Sequence, residues 1–149
     1  MDRTGTTSVV VFTRDLRMRD HPALVAAAQA DRVVPLFVFD DTVLAAHGSV
    51  NRTAVLLDCL ADLRGPLHQV GADLVVRRGP WVDQVLEAAR STGATQVHVS
   101  ADVSGLAQRR DASLEHELRA HGAELLRHQG ITVVPPGAAG MVRVEVDTL

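Results

Sequence analysis

The segment Phe12-Thr13-Arg14-Asp15-Leu16-Arg17-Met18-Arg19-Asp20-His21-Pro22-Ala23-Leu24 gathers three arginines and two aspartates in one short stretch. Guanidinium groups so clustered suit a carbonyl or anionic edge of a ligand, while carboxylates fix guanidinium groups or accept N–H donors. The same residues also read as a solvated loop, whose ion pairs are worth about 0–1 kcal/mol each. Other familiar signatures are missing. No Gly-x-Gly-x-x-Gly turn follows the first apolar run, and there is no Walker-type Gly-Lys-Ser/Thr loop. His116-Glu117 followed by His121 has the look of a zinc helix. An i,i+5 pair diverges around a helix where ligands need i,i+4, so no metal is expected. The seven histidines form no Ser/His/Asp or Cys/His constellation, and no catalytic residue is assigned. Cys59, the single cysteine, cannot form an internal disulfide, and its neighbours Leu56, Leu57, Leu60 and Leu63 mark it as a small buried hydrophobe.

The arginine-rich segment lies between elements whose pattern is that of βαβ units. Ser8–Phe12 is a continuous apolar run, expected of a strand covered on both faces. Asp20 offers a cap and Pro22 a first turn for a helix over the alanine-rich stretch Ala23–Ala30. Val33–Phe39 reads as the second strand, with Pro35 favouring imperfect pairing or a bulge. A helix from about Asn51 carries the stripe Val55, Leu56, Cys59, Leu60, Leu63, Leu67 and Val70, and Gly65-Pro66 predicts a kink or break in it. Asp73–Arg77 is the third strand, and Pro80 opens a helix with core face Val82, Val85, Leu86 and Ala89. Gln96–Ala101 is the fourth strand. A helix with Leu106, Leu114 and Leu118 follows, then a fifth strand at Glu124–His128. Ile131–Val134 reads as a further extended piece, and Pro135-Pro136-Gly137 closes the pattern.

The implied fold is α/β: a Rossmann-like, doubly wound, five-stranded parallel sheet with helices on both faces. Such sheets bind ligands beyond the carboxyl ends of their strands, at the switch point beside strand one. That rule points to Thr13–Arg19, Phe39–Asn51 and Ala101–Gly105.

Composition agrees with one folded domain. The 149 residues are 46% hydrophobic and 22% charged, with mean hydropathy +0.10, which excludes a disordered or collagen-like chain. A domain of this length buries roughly 70% of its unfolded surface. Aromatic residues are 3% of the chain, too few for a base-stacking platform. A net charge of -3 argues against tight DNA binding by this chain alone. No signal peptide and no run approaching ~20 apolar residues is present, so a cytoplasmic, non-membrane protein is expected.

Arg14-Asp15-Leu16-Arg17, Asp20 and Pro22-Ala23-Leu24 together resemble the opening motif of the DNA photolyase/cryptochrome family. The similarity continues through Val34–Asp40, Asn51-Arg52 with the leucine stripe, and Leu74–Gly79. It extends to Ala101–Ser104 with Arg109-Arg110-Asp111, and to Val133–Gly137. Roughly Ser8 to Gly137 is covered, and it is the order and spacing of the motifs that make the match specific. The sequence departs from the family at Thr13, where many members have arginine, at His21, where asparagine is commoner, and at Ser104-Gly105, where several have Glu-Pro.

The resemblance implies an amino-terminal α/β domain over 1–137, with 138–149 a short tail left from an interdomain linker. In the family this domain holds or abuts a light-harvesting antenna chromophore: most readily a deazaflavin, otherwise a folate or flavin. The FAD-binding helical domain that performs DNA repair would follow, so FAD is not expected in this chain, nor repair or direct DNA binding by it alone. A missing or separately encoded helical domain is the implied partner. The antenna contacts implied are Arg14, Asp15, Phe37, Val38, Phe39, Asp40, Arg52 and Asp102. Arg14–Asp15 and Asp40–Arg52 also read as structural ion pairs, Phe37 and Phe39 share one strand face as core residues would, and Trp81 reads as packing. The alternative is a non-catalytic nucleotide- or partner-binding α/β module, or a structural one.

Overall fold

A computed structural model of the chain describes residues 5–40 and 50–129, without the side chains of 50–52. The extended piece expected at 131–134, the closing Pro-Pro-Gly, the tail 138–149 and the Arg52 side chain lie outside the described residues. Among the described residues nine elements alternate: β1 (Thr7–Phe12), α1 (Pro22–Ala27), β2 (Arg32–Phe39), α2 (Val50–Gln69), β3 (Val75–Arg78), α3 (Trp81–Thr92), β4 (Gln96–Ser100), α4 (Gly105–Ala120) and β5 (Glu124–His128). All strand pairs are parallel, in the order β3-β2-β1-β4-β5.

This order follows from crossover handedness. Right-handed connections from β1 to β2 to β3 place α1 and α2 on one face; doubling back past β1 to β4 and β5 places α3 and α4 on the other. The core divides accordingly. Val9, Val11, Leu36, Val38, Val97 and Val99 meet α3 and α4 through Trp81, Val85, Leu114 and Leu118. On the opposite side Val10, Phe12 and Phe37 meet α1 and α2 through Ala23, Ala27, Leu60, Leu63 and Leu67. β1 is buried along its whole length because helices cover both faces.

Several local expectations are corrected. α2 runs through Gly65-Pro66 to Gln69 without the expected break. Pro66 lies in the last turn and is exposed, while Leu63 and Leu67 on either side are buried and hold that turn to the sheet. At Pro35 the imperfect pairing is found and the bulge is not, since the ladder to β1 passes it in register. Pairing with β3 begins only at Leu36, so the proline precedes it, where the strand is still an edge. The cap of α1 is His21, not Asp20: the ring Nδ1 accepts from the Leu24 amide at 3.1 Å. Asp20 takes φ 49 instead, turning the chain so that the imidazole reaches inward. α1 also ends at Ala27, short of Ala30.

Candidate functional site

Three strand ends open into one cavity of about 210 Å3. Thr13 and Arg14 come from the loop after β1, Phe37 to Asp40 from the end of β2, and Asp102 and Ser104 from the loop after β4. The amino ends of two helices complete the wall, α3 with Trp81 and α4 with Leu106, Ala107 and Arg110. Both helix starts carry partial positive charge, and each holds a carboxylate. Asp40 Oδ2 accepts from the Trp81 amide at 3.2 Å. Asp102 Oδ1 accepts from the Ser104 amide at 3.0 Å, and Ser104 in turn caps α4 through the Ala107 amide.

The apolar surface comes from strand and helix together. Phe37 and Phe39 sit edge to face, with centroids 5.0 Å apart, on the α1/α2 side of β2. Val38 points to the other side, against Trp81. Trp81 is buried, and the Arg110 guanidinium lies 3.9 Å over its ring. Burial pulls the Arg110 pKa below its ordinary value, opposed by the carboxylates of Asp111, Asp102 and Asp40. Burial also raises the Asp111 pKa, against the pull of Arg110 and Arg127. Two polar atoms around the cavity, Thr13 Oγ1 and Arg110 Nε, have no hydrogen-bond partner among the described residues.

Of the residues read from the sequence, Arg14, Phe37, Val38, Phe39, Asp40 and Asp102 are brought together in this lining. Arg14 is largely exposed and its Nε lies 4.0 Å from Asp102, not beside Asp15. Asp15 is absent from the lining. It is buried behind it, where Oδ1 accepts from the Thr13 amide and Oδ2 from the Ser100 hydroxyl, and Oδ2 lies 2.7 Å from His21 Nε2. Burial pushes the Asp15 pKa up, but the bonds from His21, Ser100 and Thr13 outweigh it and hold the carboxyl below its ordinary range. Trp81 and Arg110 belong to the site although the sequence reading took one as packing and the other only as part of a motif. Pro80-Trp81 at a helix start beside the sheet was the available signal. The stacking of Arg110 on Trp81 joins α4 to α3 and has no local signature.

A larger groove of about 860 Å3 lies at the amino ends of β1 and β2, with Met18, Leu24, Val25, Val33 and Leu67 in its lining. Of its charged residues, Asp31 is bound to Thr6 across the strand ends. Charge, aromatic surface and strand polarity converge instead on the smaller cavity, at the position where doubly wound sheets bind ligands.

A parallel five-stranded α/β domain with a switch-point cavity walled by aromatic rings and arginine–carboxylate groups is the class defined here. The DNA photolyase family model matches residues 8–143, and the chain belongs to that family. It is 45% identical over 133 residues to the deoxyribodipyrimidine photo-lyase of Streptomyces griseus, covering 87% of this chain and 29% of that protein. It is 30% identical over 137 residues to cryptochrome-1 of Sinapis alba, covering 90% of this chain and 27% of that one. Among solved structures, the photolyase of Sulfolobus tokodaii superposes with TM-score 0.79 at 22% identity, over 87% of this chain and 31% of that one. The chain thus spans less than a third of the length of these relatives. That archaeal protein is described with two FAD molecules and the implication of a novel light-harvesting cofactor.

Proposed function

We propose that the chain is an antenna domain that binds a planar, light-absorbing heteroaromatic molecule by its ring end in the cavity above β1, β2 and β4. The observation that carries this reading is the single lining that combines the Phe37–Phe39 pair, the Trp81–Arg110 stack and the carboxylates of Asp40 and Asp102. A fused ring needs apolar faces and a few fixed polar groups at its edge. Arg14 and Arg110 suit ring carbonyls or an anionic edge, and Asp40 and Asp102 suit ring N–H groups. The unmatched Thr13 hydroxyl and Arg110 Nε are the kind of buried polar groups that a ligand satisfies. The volume of about 210 Å3 is below the ~300–1,000 Å3 of sites that enclose a whole ligand, so the remainder of the molecule stays outside. A deazaflavin is the first candidate, with flavins and folates next; the light-harvesting cofactor implied for the Sulfolobus tokodaii photolyase is consistent with such a role. Membership of the family further supports a partnership with an FAD-binding helical domain, to which the absorbed energy would pass for DNA repair or light sensing.

The test is an absorbance spectrum of the purified protein, followed by titration with a deazaflavin, FMN, FAD, a folate, ATP and AMP. Trp81, the only tryptophan, lies in the lining and reports occupancy by fluorescence quenching. Binding of a chromophore with near-ultraviolet or blue absorbance, quenching Trp81, is expected. Binding of adenine nucleotides alone would replace the antenna with a nucleotide-binding module.

A further inference from the structure

Behind the cavity, on the α1 side of the sheet, two buried imidazoles, a half-buried one and a buried carboxylate lie close together. His98 on β4 and His128 on β5 stack with centroids 5.1 Å apart, and His98 Nδ1 lies 2.8 Å from His128 Nε2. His98 Nε2 lies 3.3 Å from Gln96 Oε1. An amide oxygen only accepts, so the His98 proton is on Nε2 and its Nδ1 accepts from His128 Nε2–H. His21 Nδ1 likewise accepts from the Leu24 amide, which leaves its proton on Nε2, 2.7 Å from Asp15 Oδ2. His98 and His21 are both almost wholly buried.

We propose that the His98–His128 pair is an acid-sensitive latch on the site: when the pair parts, His98 takes up a proton that the closed, buried arrangement disfavours, and the two loops that carry Arg14 and Asp102 are freed. His98 is the sensing ring because it is almost wholly buried and both of its nitrogens are engaged in the closed arrangement, one toward Gln96 and one toward His128. The connection to the loops is short. The His128 carbonyl accepts from the Ala101 amide at 2.6 Å, next to Asp102. Ser100, one alternation beyond His98 on the same face of β4, donates to Asp15, which holds the Thr13 amide next to Arg14.

Among the described residues, few other groups face the pair. β4 adds Gln96 and Ser100, β5 adds Glu124 at its exposed far end, and the loop after β1 adds Asp15 and His21. α1 packs over β4 and β5 with no ionisable side chain, and the residues of β1 on that face are Ser8, Val10 and Phe12. No carboxylate among the described residues bonds to either ring of the pair; Asp15, the carboxylate of the cluster, is taken up by Ser100, Thr13 and the neighbouring His21. Burial, then the proximity of His128, holds the His98 pKa down at about 4, and burial with the proximity of His21 lowers that of His128. Once the latch opens, His98 takes up its proton at the ordinary value of 6.5. Between those two pH values the open form binds more protons than the closed one. The His98 proton therefore favours opening by up to tenfold per unit fall in pH between those values.

The latch stands on the geometry of the free protein; its consequence for a ligand rests on the reading of the cavity given above. Long-range 1H–15N spectra of the imidazoles, recorded on the full chain from pH 8 to pH 4, are combined with exchange of the Ala101 amide corrected for its intrinsic rate. The expected result is a neutral His98 with its proton on Nε2 down to about pH 4. Ala101 protection falls close to tenfold per unit below pH 6.5, while Val10 in the central strand keeps its protection. His98→Gln removes the Ala101 step, and His121→Gln, at an exposed position, leaves it unchanged. A His98 that titrates near 6.5, or Ala101 protection that stays flat across the window, overturns the proposal without recourse to any variant. With FMN as the probe, Trp81 fluorescence recovery after dilution is expected to quicken at pH 5 relative to pH 7.5. Equal rates refute the coupling to the site. No FMN binding at either pH counts against a flavin-binding cavity and leaves the Ala101 exchange to decide the latch.

Discussion

Asp15 and Arg110 show how differently two charged side chains of one site are held. Asp15 accepts from the Ser100 hydroxyl and the Thr13 amide beside the His21 ring, and replacing it with alanine leaves both donors unmatched and the ring without its neighbouring carboxylate. The expected loss is about 3–5 kcal/mol of stability, measured by urea denaturation at neutral pH. Its lowered pKa means that the folded state releases this proton more readily than the unfolded chain does. The stabilisation from Asp15 is therefore full above the ordinary carboxylate range and is lost as pH falls through and below it. Arg110 is held by the face of Trp81 and by Coulomb attraction to Asp111, Asp102 and Asp40. Arg110→Ala is expected to weaken binding of an antenna chromophore about tenfold, the equivalent of a cation–π contact or one charged hydrogen bond. Arg110→Lys should not restore it, since an ammonium cannot stack flat on the indole. Trp81 quenching titrations check both.

At the scale of elements, the helices separate what propensity decides from what packing decides. Gly65 sits in the interior of α2, where an added Cβ meets nothing within 4 Å. Gly65→Ala should change thermal stability by less than the ~0.5–1 kcal/mol that helix propensity alone would add, because the following Pro66 ring disfavours a Cβ on a helical residue before it. Gly79 is the opposite case. It takes φ 141 just before α3, and a Cβ there would lie 2.9 Å from Gln84 Nε2. Gly79→Ala is expected to destabilise the protein and to disturb the start of α3 that presents Trp81 to the cavity. Strand positions were legible in the sequence to within a residue or two, because Val-rich runs buried on both faces leave little else to form. β5 falls on Glu124–His128 as read, and β2 gains only Arg32. The persistence of α2 through Pro66 was not legible, because it depends on two leucines meeting the opposite sheet face. The His21 cap was likewise hidden: histidine is an uncommon capping residue, and its choice over Asp20 rests on Asp15 and the Phe12 ring receiving the imidazole inside.

For the whole molecule, the cavity joins elements that lie far apart in the chain, and a ligand there should stabilise the domain cooperatively. At a hundredfold excess over Kd, a ligand that binds only the folded state contributes about 2.7 kcal/mol. For a domain of this size that corresponds to a rise in Tm of roughly 5–11 °C, measurable by differential scanning fluorimetry with each candidate chromophore. Smaller shifts at saturation would show that the unfolded chain also binds the compound.

The sequence by itself determined the parallel α/β architecture and the strand ends at which a ligand would meet it. Alternating Val-rich runs and helical stripes are local patterns, and the right-handed crossover rule converts them into a sheet with a switch point. The motif order also brought out the family, and with it six residues that share one lining. Only the tertiary structure decided which charges face that cavity and which stand behind it. Arg14 meets Asp102 across two loops, Arg110 meets Trp81 across two helices, and Asp15 turns inward to Ser100 and His21. The same holds for His98 and His128, thirty residues apart and each unremarkable in its own segment. Pairing of this kind is set by strand register and helix position, and neither is encoded in the local spacing of the residues that meet.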